Sequence, residues 1–261
     1  MKFIRFKPKN SQTILQGIVT DMGFKPIAGD MFTGDWEVTG NFYTADSIKI
    51  LEPLTPRHVI GIGANYVAEP NDLPAKVPDL PVFFYKPVSS VIGGGKPIVI
   101  PEGTSEVKFE SELAVVMGKR ASDLSEEEVT DYIFGYTVAN DVTAPKFFHD
   151  DGHWTVGKSF DTFTPLGPCI ETDFNPDGAR VEAYLNGEKK QDSPTANMIV
   201  PMRKMVAYLS SVMTLEAGDV ILTGSPLGAE MITDDDYIIC SVKGIGDLQN
   251  PVVQKVSARS R

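Results

Sequence analysis

Positive charge, cysteine and long apolar runs are all in short supply in this chain, and each shortage removes a class of function. Lys and Arg number 24 against 35 Asp and Glu, a formal net charge of −11, so the average surface repels nucleic acid and anionic membrane alike. A small anionic ligand remains compatible if a cation and a few lysines make one site locally positive. Only two cysteines occur, Cys169 and Cys240. Both sit in strand-like apolar runs and read as buried thiols rather than a disulfide or a metal pair. No segment approaches the run of about 18 apolar residues that spans a bilayer, and the opening Met1–Asn10 interleaves basic with apolar residues, which leaves no apolar core for a signal peptide. A reducing cytoplasm is the expected location.

What is present is a 261-residue chain with 42% hydrophobic residues, enough to bury a sizeable core. Residues 1–52 alternate short strand-like runs with turns, and Pro53 and Pro56 then punctuate the chain, marking a boundary between a small N-terminal domain (1–52) and a larger domain (53–261). Val59–Gly63 is a short apolar strand. The stretch Glu69–Pro81 carries four prolines, which exclude a regular helix and predict a flap or loop. Gly93-Gly94-Gly95 reads as a hairpin turn before Ile98–Ile100. Ser125 with Glu128 three residues on predicts a capping box for a short helix through Ile133. Met202, Met205, Val206, Leu209 and Met213, spaced by three and four, predict a second helix whose methionines fill core. Strands outnumber helices and do not alternate regularly with them, which argues for an α+β fold.

The chemistry is written in carboxylates. Glu110 and Glu112 lie two apart in the run Lys108–Val116, which reads as a strand, so both side chains share one face. Asp141 follows in Tyr136–Thr143. By spacing alone the pair also reads as the wet face of an edge strand. With a third oxygen donor, however, two acids on one face suit a hard divalent ion such as Mg²⁺ or Mn²⁺. Three further blocks follow in order: Gly135–Ala144, then Gly157-Lys158-Ser159-Phe160-Asp161-Thr162-Phe163, then Gly218–Gly228 with Thr223-Gly224-Ser225-Pro226 at a strand end.

Those blocks after a Glu-x-Glu strand resemble the fumarylacetoacetate hydrolase family over roughly residues 53 to 255. The resemblance implies mixed sheets rolled around a central site, a small N-terminal domain, a commonly dimeric enzyme, and a small anionic 2-oxo acid as substrate. It also implies that Glu110, Glu112 and Asp141 hold one Mg²⁺ or Mn²⁺, that Lys158 acts on the substrate, and that Thr223 and the amides around Gly224 receive its carboxylate. A 2-oxo acid can chelate such an ion through its carboxylate and keto oxygens, which stabilises the enolate formed when a neighbouring bond breaks. One core then serves isomerisation, decarboxylation or C–C hydrolysis.

Departures from the family pattern narrow the choice. Hydrolases of the family usually write Asn-Tyr-x-x-His-Ala-x-Glu, whereas this chain reads Asn65-Tyr66-Val67-Ala68-Glu69-Pro70-Asn71-Asp72, with Glu69 where the histidine stands. Imidazole suits the activation of water near neutral pH. Its absence favours isomerisation or decarboxylation, as in the 2-hydroxyhepta-2,4-diene-1,7-dioate isomerase branch, with Glu69 as the carboxylate that moves a proton. An acylpyruvate or fumarylacetoacetate type hydrolase, and an inactive member keeping fold and metal, are the alternatives. Pro145 and Phe148 replace the arginine and glutamine that normally grip the substrate's far end. Of the three histidines, His58 reads as structural, and His149 and His153 as surface groups near enough in sequence to approach the site.

Overall fold

The computed structural model describes residues 1–79 and 81–255. Its N-terminal strands are β1 (Lys2–Pro8), β2 (Leu15–Thr20), β3 (Gly23–Ala28), β4 (Glu37–Val38) and β5 (Ile48–Ile50). The remainder contributes β6 (Val59–Ile62), β7 (Phe83–Lys86), β8 (Val91–Ile92), β9 (Ile98–Ile100), β10 (Ser111–Met117), β11 (Ile133–Asn140), β12 (Thr164–Glu171), β13 (Arg180–Leu185), β14 (Glu188–Pro194), β15 (Val220–Leu222), β16 (Tyr237–Val242) and β17 (Gly246–Gln254). Two α-helices accompany them among the described residues, α1 (Thr155–Lys158) and α2 (Met202–Val212). The fold is α+β and strand-rich.

Ten strands run in the order β4-β3-β2-β1-β12-β11-β10-β15-β6-β7, with β5 on β1 and β8 on β12, while β14-β13-β16-β17-β9 form a second sheet. The N-terminal strands belong to the large sheet through Lys2 opposite Glu171 and Phe3 opposite Ile170. From β12 to β7 a flat sheet would span five strand spacings, about 24 Å. Yet the chain passes from Lys86 at the β7 edge to Val91, which pairs with Thr164 of β12, and five extended residues reach only about 17 Å. The large sheet therefore curls, bringing its edge back toward its middle.

Strand direction gathers the functional residues. β6 and β15 are parallel, so both end on the same side of the sheet, at Gly63 and Thr223. β10 is antiparallel to β15 and β11 antiparallel to β10, so the start of β10, with Glu110 and Glu112, and the end of β11, with Asp141, arrive there too. β10 is not an edge strand with one wet face. Its residues are buried throughout, Leu113, Val115 and Met117 in one apolar cluster and Ala114 and Val116 in another. Glu112 keeps the parity of Ala114 and Val116.

Helix α2 forms as its spacing predicts, with Met202, Met205, Val206 and Leu209 buried. Two local expectations are corrected. The helix from Ser125 is a run of turns ending in a 3-10 turn at Val129–Tyr132; the Ser125 amide does donate to Glu128 Oε2 at 2.9 Å, but Ile133 is drawn into β11 opposite Met117. Gly93–Gly95 is a crossover rather than a hairpin, because β8 pairs β12 and β9 pairs β17 of the other sheet. Asn250 secures it by donating to Gly93 O at 3.1 Å and Lys96 O at 2.8 Å. Gly93 is required there, since a Cβ would lie 2.4 Å from the Glu52 amide nitrogen.

Buried Asn65 ties three elements together at the site end. Its Nδ2 donates to Val200 O at 3.2 Å and to Thr223 O at 2.8 Å, and its Oδ1 accepts from the Val200 amide at 2.8 Å. Replacing Asn65 by Ala leaves buried backbone groups without partners, and an equilibrium denaturation series should show a loss of about 2–4 kcal/mol. A loss below about 0.5 kcal/mol, the range of ordinary surface substitutions, would remove the role assigned to this side chain.

Candidate metal centre

The three carboxylates converge. One oxygen from each of Glu110, Glu112 and Asp141 lies within 4.8 Å of the others, at one end of a cleft of about 380 Å³. The start of β10 carries the two glutamates and the end of β11 the aspartate. The Glu110 amide donates to Asn140 Oδ1 at 2.9 Å, and Asp141 N donates to Glu110 O at 2.8 Å, which locks the two segments together. The Gly224 amide donates to Glu112 Oε2 at 2.7 Å. Thr143 Oγ1 donates to Glu110 Oε2 at 3.0 Å.

Lysines answer this negative charge. Lys158, at the end of α1, places Nζ 2.6 Å from Glu110 Oε2 and 2.5 Å from Asp141 Oδ2. Lys86, fully buried on β7, donates to Asp141 Oδ1 at 2.6 Å and to Val142 O at 3.1 Å, and Lys108 meets Glu110 Oε1 at 2.6 Å. Burial alone would lower the affinity of Lys158 for its proton, but the charges of Asp141 and Glu110 outweigh it and hold the ammonium above the usual lysine range. For Lys86 burial wins over Asp141, and its pKa falls. Burial also pushes Asp141 up, yet Lys158 and Lys86 overcome it and keep that carboxyl below its ordinary value. Glu112 makes no ion pair among the described residues. Burial first, and the Asp141 charge second, push its carboxyl well above the usual range.

Glu112 is therefore where the site can take up further positive charge. Three hard oxygen donors face one another, one of them ionised only at a cost, and an ammonium already bridges the other two. This donor set fits a hard divalent ion, which Glu110, Glu112 and Asp141 would hold.

The sequence over residues 58–253 matches the fumarylacetoacetate (FAA) hydrolase C-terminal family, and residues 1–53 match the Rv2993c-like N-terminal family. The chain belongs to the fumarylacetoacetate hydrolase family. A 5-carboxymethyl-2-hydroxymuconate delta-isomerase of Mycobacterium smegmatis has the same fold at a TM-score of 0.90 and 36% identity, over 98% of this chain and 100% of that one. The fumarylacetoacetate hydrolase of Exiguobacterium antarcticum superposes at 0.85 with 29% identity and the same coverage. An oxaloacetate tautomerase of Xenopus laevis mitochondria is 37% identical over 220 residues, 79% of this chain and 69% of the relative.

Within this family frame some residues stand elsewhere than the sequence suggested, and others, the cysteines and His149 and His153 among them, where it put them. Thr223 is fully buried and its hydroxyl donates to Leu113 O at 2.8 Å. The Gly224 amide is committed to Glu112. The loop just beyond, Ser225–Ala229, lines the cleft, and buried Gln191 braces it by donating to Ser225 Oγ at 2.8 Å and Pro226 O at 2.6 Å. Glu69 is exposed and caps a 3-10 turn at Pro70–Asp72; it does not line the cleft. His58 pairs with Asp219 at 3.1 Å, and His149 and His153 are exposed. Cys169 and Cys240 are buried free thiols.

Lys86 and Gln191 are the residues that sequence reasoning missed. Lys86 had a signal, because it shares parity with Phe84 on the inward face of an otherwise apolar strand, where an unpaired lysine is not tolerated. Gln191 had none, since it sits in the charged run Glu188–Asp192.

Glu112→Gln separates ligation from folding. The amide can still accept from Gly224 N but offers no charge, so titration calorimetry should show Mn²⁺ affinity falling by at least about 100-fold, beyond the range for outer partners of metal ligands. Thermal stability of the metal-free protein should stay level or rise, because a buried ionisable acid is gone. Unchanged Mn²⁺ affinity would take Glu112 out of the ligand set.

Proposed function

We propose that this protein is an isomerase that moves a proton at the carbon beside the keto group of a small 2-oxo acid, using one Mg²⁺ or Mn²⁺. The observation that carries this reading is the cleft's complement of acids and bases. Three carboxylates and a charged Lys158 line it, and no histidine does among the described residues. A proton shift asks for stabilisation of developing negative charge and a base for one carbon proton, whereas hydrolysis requires in addition that water be activated for attack. Two relatives sharing 36% and 37% identity bear names of proton-shift enzymes, which supports the same reading.

A divalent ion held by Glu110, Glu112 and Asp141 would supply positive charge beside the substrate's keto and carboxylate oxygens. The chain's own groups do the rest. Lys158 Nζ, held as an ammonium, donates a hydrogen bond to the keto oxygen as the neighbouring C–H bond weakens. The Ser225–Ala229 loop lines the cleft, and its free amides receive the substrate carboxylate. Phe84 lies under Lys158, with Nζ 4.9 Å from the ring centroid, and keeps water from that side of the ammonium. For the carbon proton the candidate base is Glu69, whose participation requires the segment from Glu69 to fold over the cleft. Decarboxylation would use the same stabilisation and differ only in the bond that breaks.

Exchange of substrate C3 protons into D₂O, followed by NMR alongside release of CO₂, measures both outcomes on oxaloacetate, acylpyruvates and a 2-hydroxydienoate. Lys158→Ala should lower the rate by about 10²–10³ fold, the usual loss of one electrostatic stabiliser, while Mn²⁺ binding persists or tightens. Glu69→Gln should slow exchange without changing Mn²⁺ binding. Full activity in Lys158→Ala would leave that lysine with a structural role only, and hydrolytic products without C3 exchange would replace the isomerase reading.

A further inference from the structure

The wall of the cleft away from the carboxylates is aromatic, and it is built rather than incidental. From Phe84, beneath the Lys158 ammonium, contacts run outward to Trp154, edge to face at 5.7 Å, and on to Phe148, stacked at 5.8 Å with 24° between planes. Phe84 is buried, while Trp154 and Phe148 are half-buried. Two glycines make room for these rings. A Cβ on Gly63 would come within 2.0 Å of the Trp154 indole, and one on Gly157 within 2.6 Å of the Phe148 ring. The Ser225–Ala229 loop adds Pro226, Leu227 and Ala229 to the lining.

Charge is distributed unevenly along this cleft. Its lining lysines, Lys108 and Lys158, both bind Glu110 at the carboxylate end. Beyond these lysines and the three carboxylates, no charged side chain lines the cleft among the described residues; Lys146, His149, Asp150, Asp151 and His153 are neighbours of Phe148 and Trp154 in sequence and are exposed. Lys146 is directed to Gly103 O at 3.5 Å. A second carboxylate carried to that end would lose water against aromatic faces, with no further cation in the lining among the described residues to receive it.

We propose that Phe148 and Trp154 are specificity residues that select 2-oxo acids whose far end is uncharged and apolar over those ending in a second carboxylate. This rests on the 2-oxo acid reading above and concerns groups three or more bonds beyond the keto carbon. A carboxylate one carbon away, as in oxaloacetate, stays at the lysine end.

The test pair is 5-methyl-2-oxohexanoate and 2-oxoglutarate, identical through C4 and differing as isopropyl against carboxylate of similar shape. With the Mg²⁺-loaded protein, C3 exchange should favour the isopropyl compound in kcat/KM by at least about tenfold, the order that one mismatched group in a pocket produces. Phe148→Gln should shrink that ratio and Phe148→Arg should invert it, both with Mn²⁺ affinity unchanged. Equal rates, a preference for 2-oxoglutarate in the native protein, or an unmoved ratio in both variants would overturn the inference. Should neither compound exchange, the isomerase reading fails by itself. The pair is then ranked by quenching of Trp154 fluorescence in a Trp36→Phe background with Mn²⁺ present, and the inference falls unless the isopropyl compound binds more tightly.

Discussion

The site depends on one interaction, the burial of Lys158 between Glu110 and Asp141. An ammonium and two carboxylates removed from water are costly singly and tolerable only together, because opposite charges at hydrogen-bond distance in a weakly polarisable interior recover most of what desolvation takes. That requirement reaches outward. Lys86 must enter from the sheet edge to occupy the second oxygen of Asp141, Asn140 must turn its amide oxygen to the Glu110 backbone, and Thr143 must cap Glu110. Among the described residues Glu112 is the member without an ion-pair partner, and the Gly224 amide holds it. The centre is thereby poised for one more positive charge.

Sheet direction makes this possible. Parallel β6 and β15, with β10 and β11 antiparallel beside them, deliver four strand ends to one place, and the curl forced by the short passage from β7 to β8 folds a cleft around it. Functional side chains stand at strand ends and on the loops that follow them, where backbone geometry is free of the ladder yet anchored by it. The second sheet backs the first and supplies Gln191, which steadies the Ser225–Ala229 loop from behind. The aromatic wall is a consequence of the same compact arrangement, since Gly63 follows β6 and Gly157 lies in α1, each admitting a ring where a side chain would collide.

Much of this was legible in the residues. The period-two placement of Glu110 and Glu112, the order of the motif blocks, and the three- and four-residue spacing of α2 are local patterns, and local patterns survive into the fold because short-range geometry dictates them. The expectations that failed were those decided by distant partners. Gly93–Gly95 looks like a hairpin turn until β8 and β9 are claimed by different sheets, and the helix predicted from Ser125 stops where β10 recruits Ile133.

The amino-acid sequence by itself determined which chemistry is on offer: three carboxylates and a motif lysine, and an aromatic at Phe148 where the family commonly carries a polar grip. Only the tertiary structure decided who holds whom. It tied the Thr223 hydroxyl to Leu113 O and the Gly224 amide to Glu112, left Glu69 outside the cleft, and brought Lys86 to Asp141 across 55 residues. The physical reason is the same in each case. A hydrogen bond or ion pair between strands far apart in the chain depends on register and sheet curvature, and neither is written in the spacing of the residues it joins.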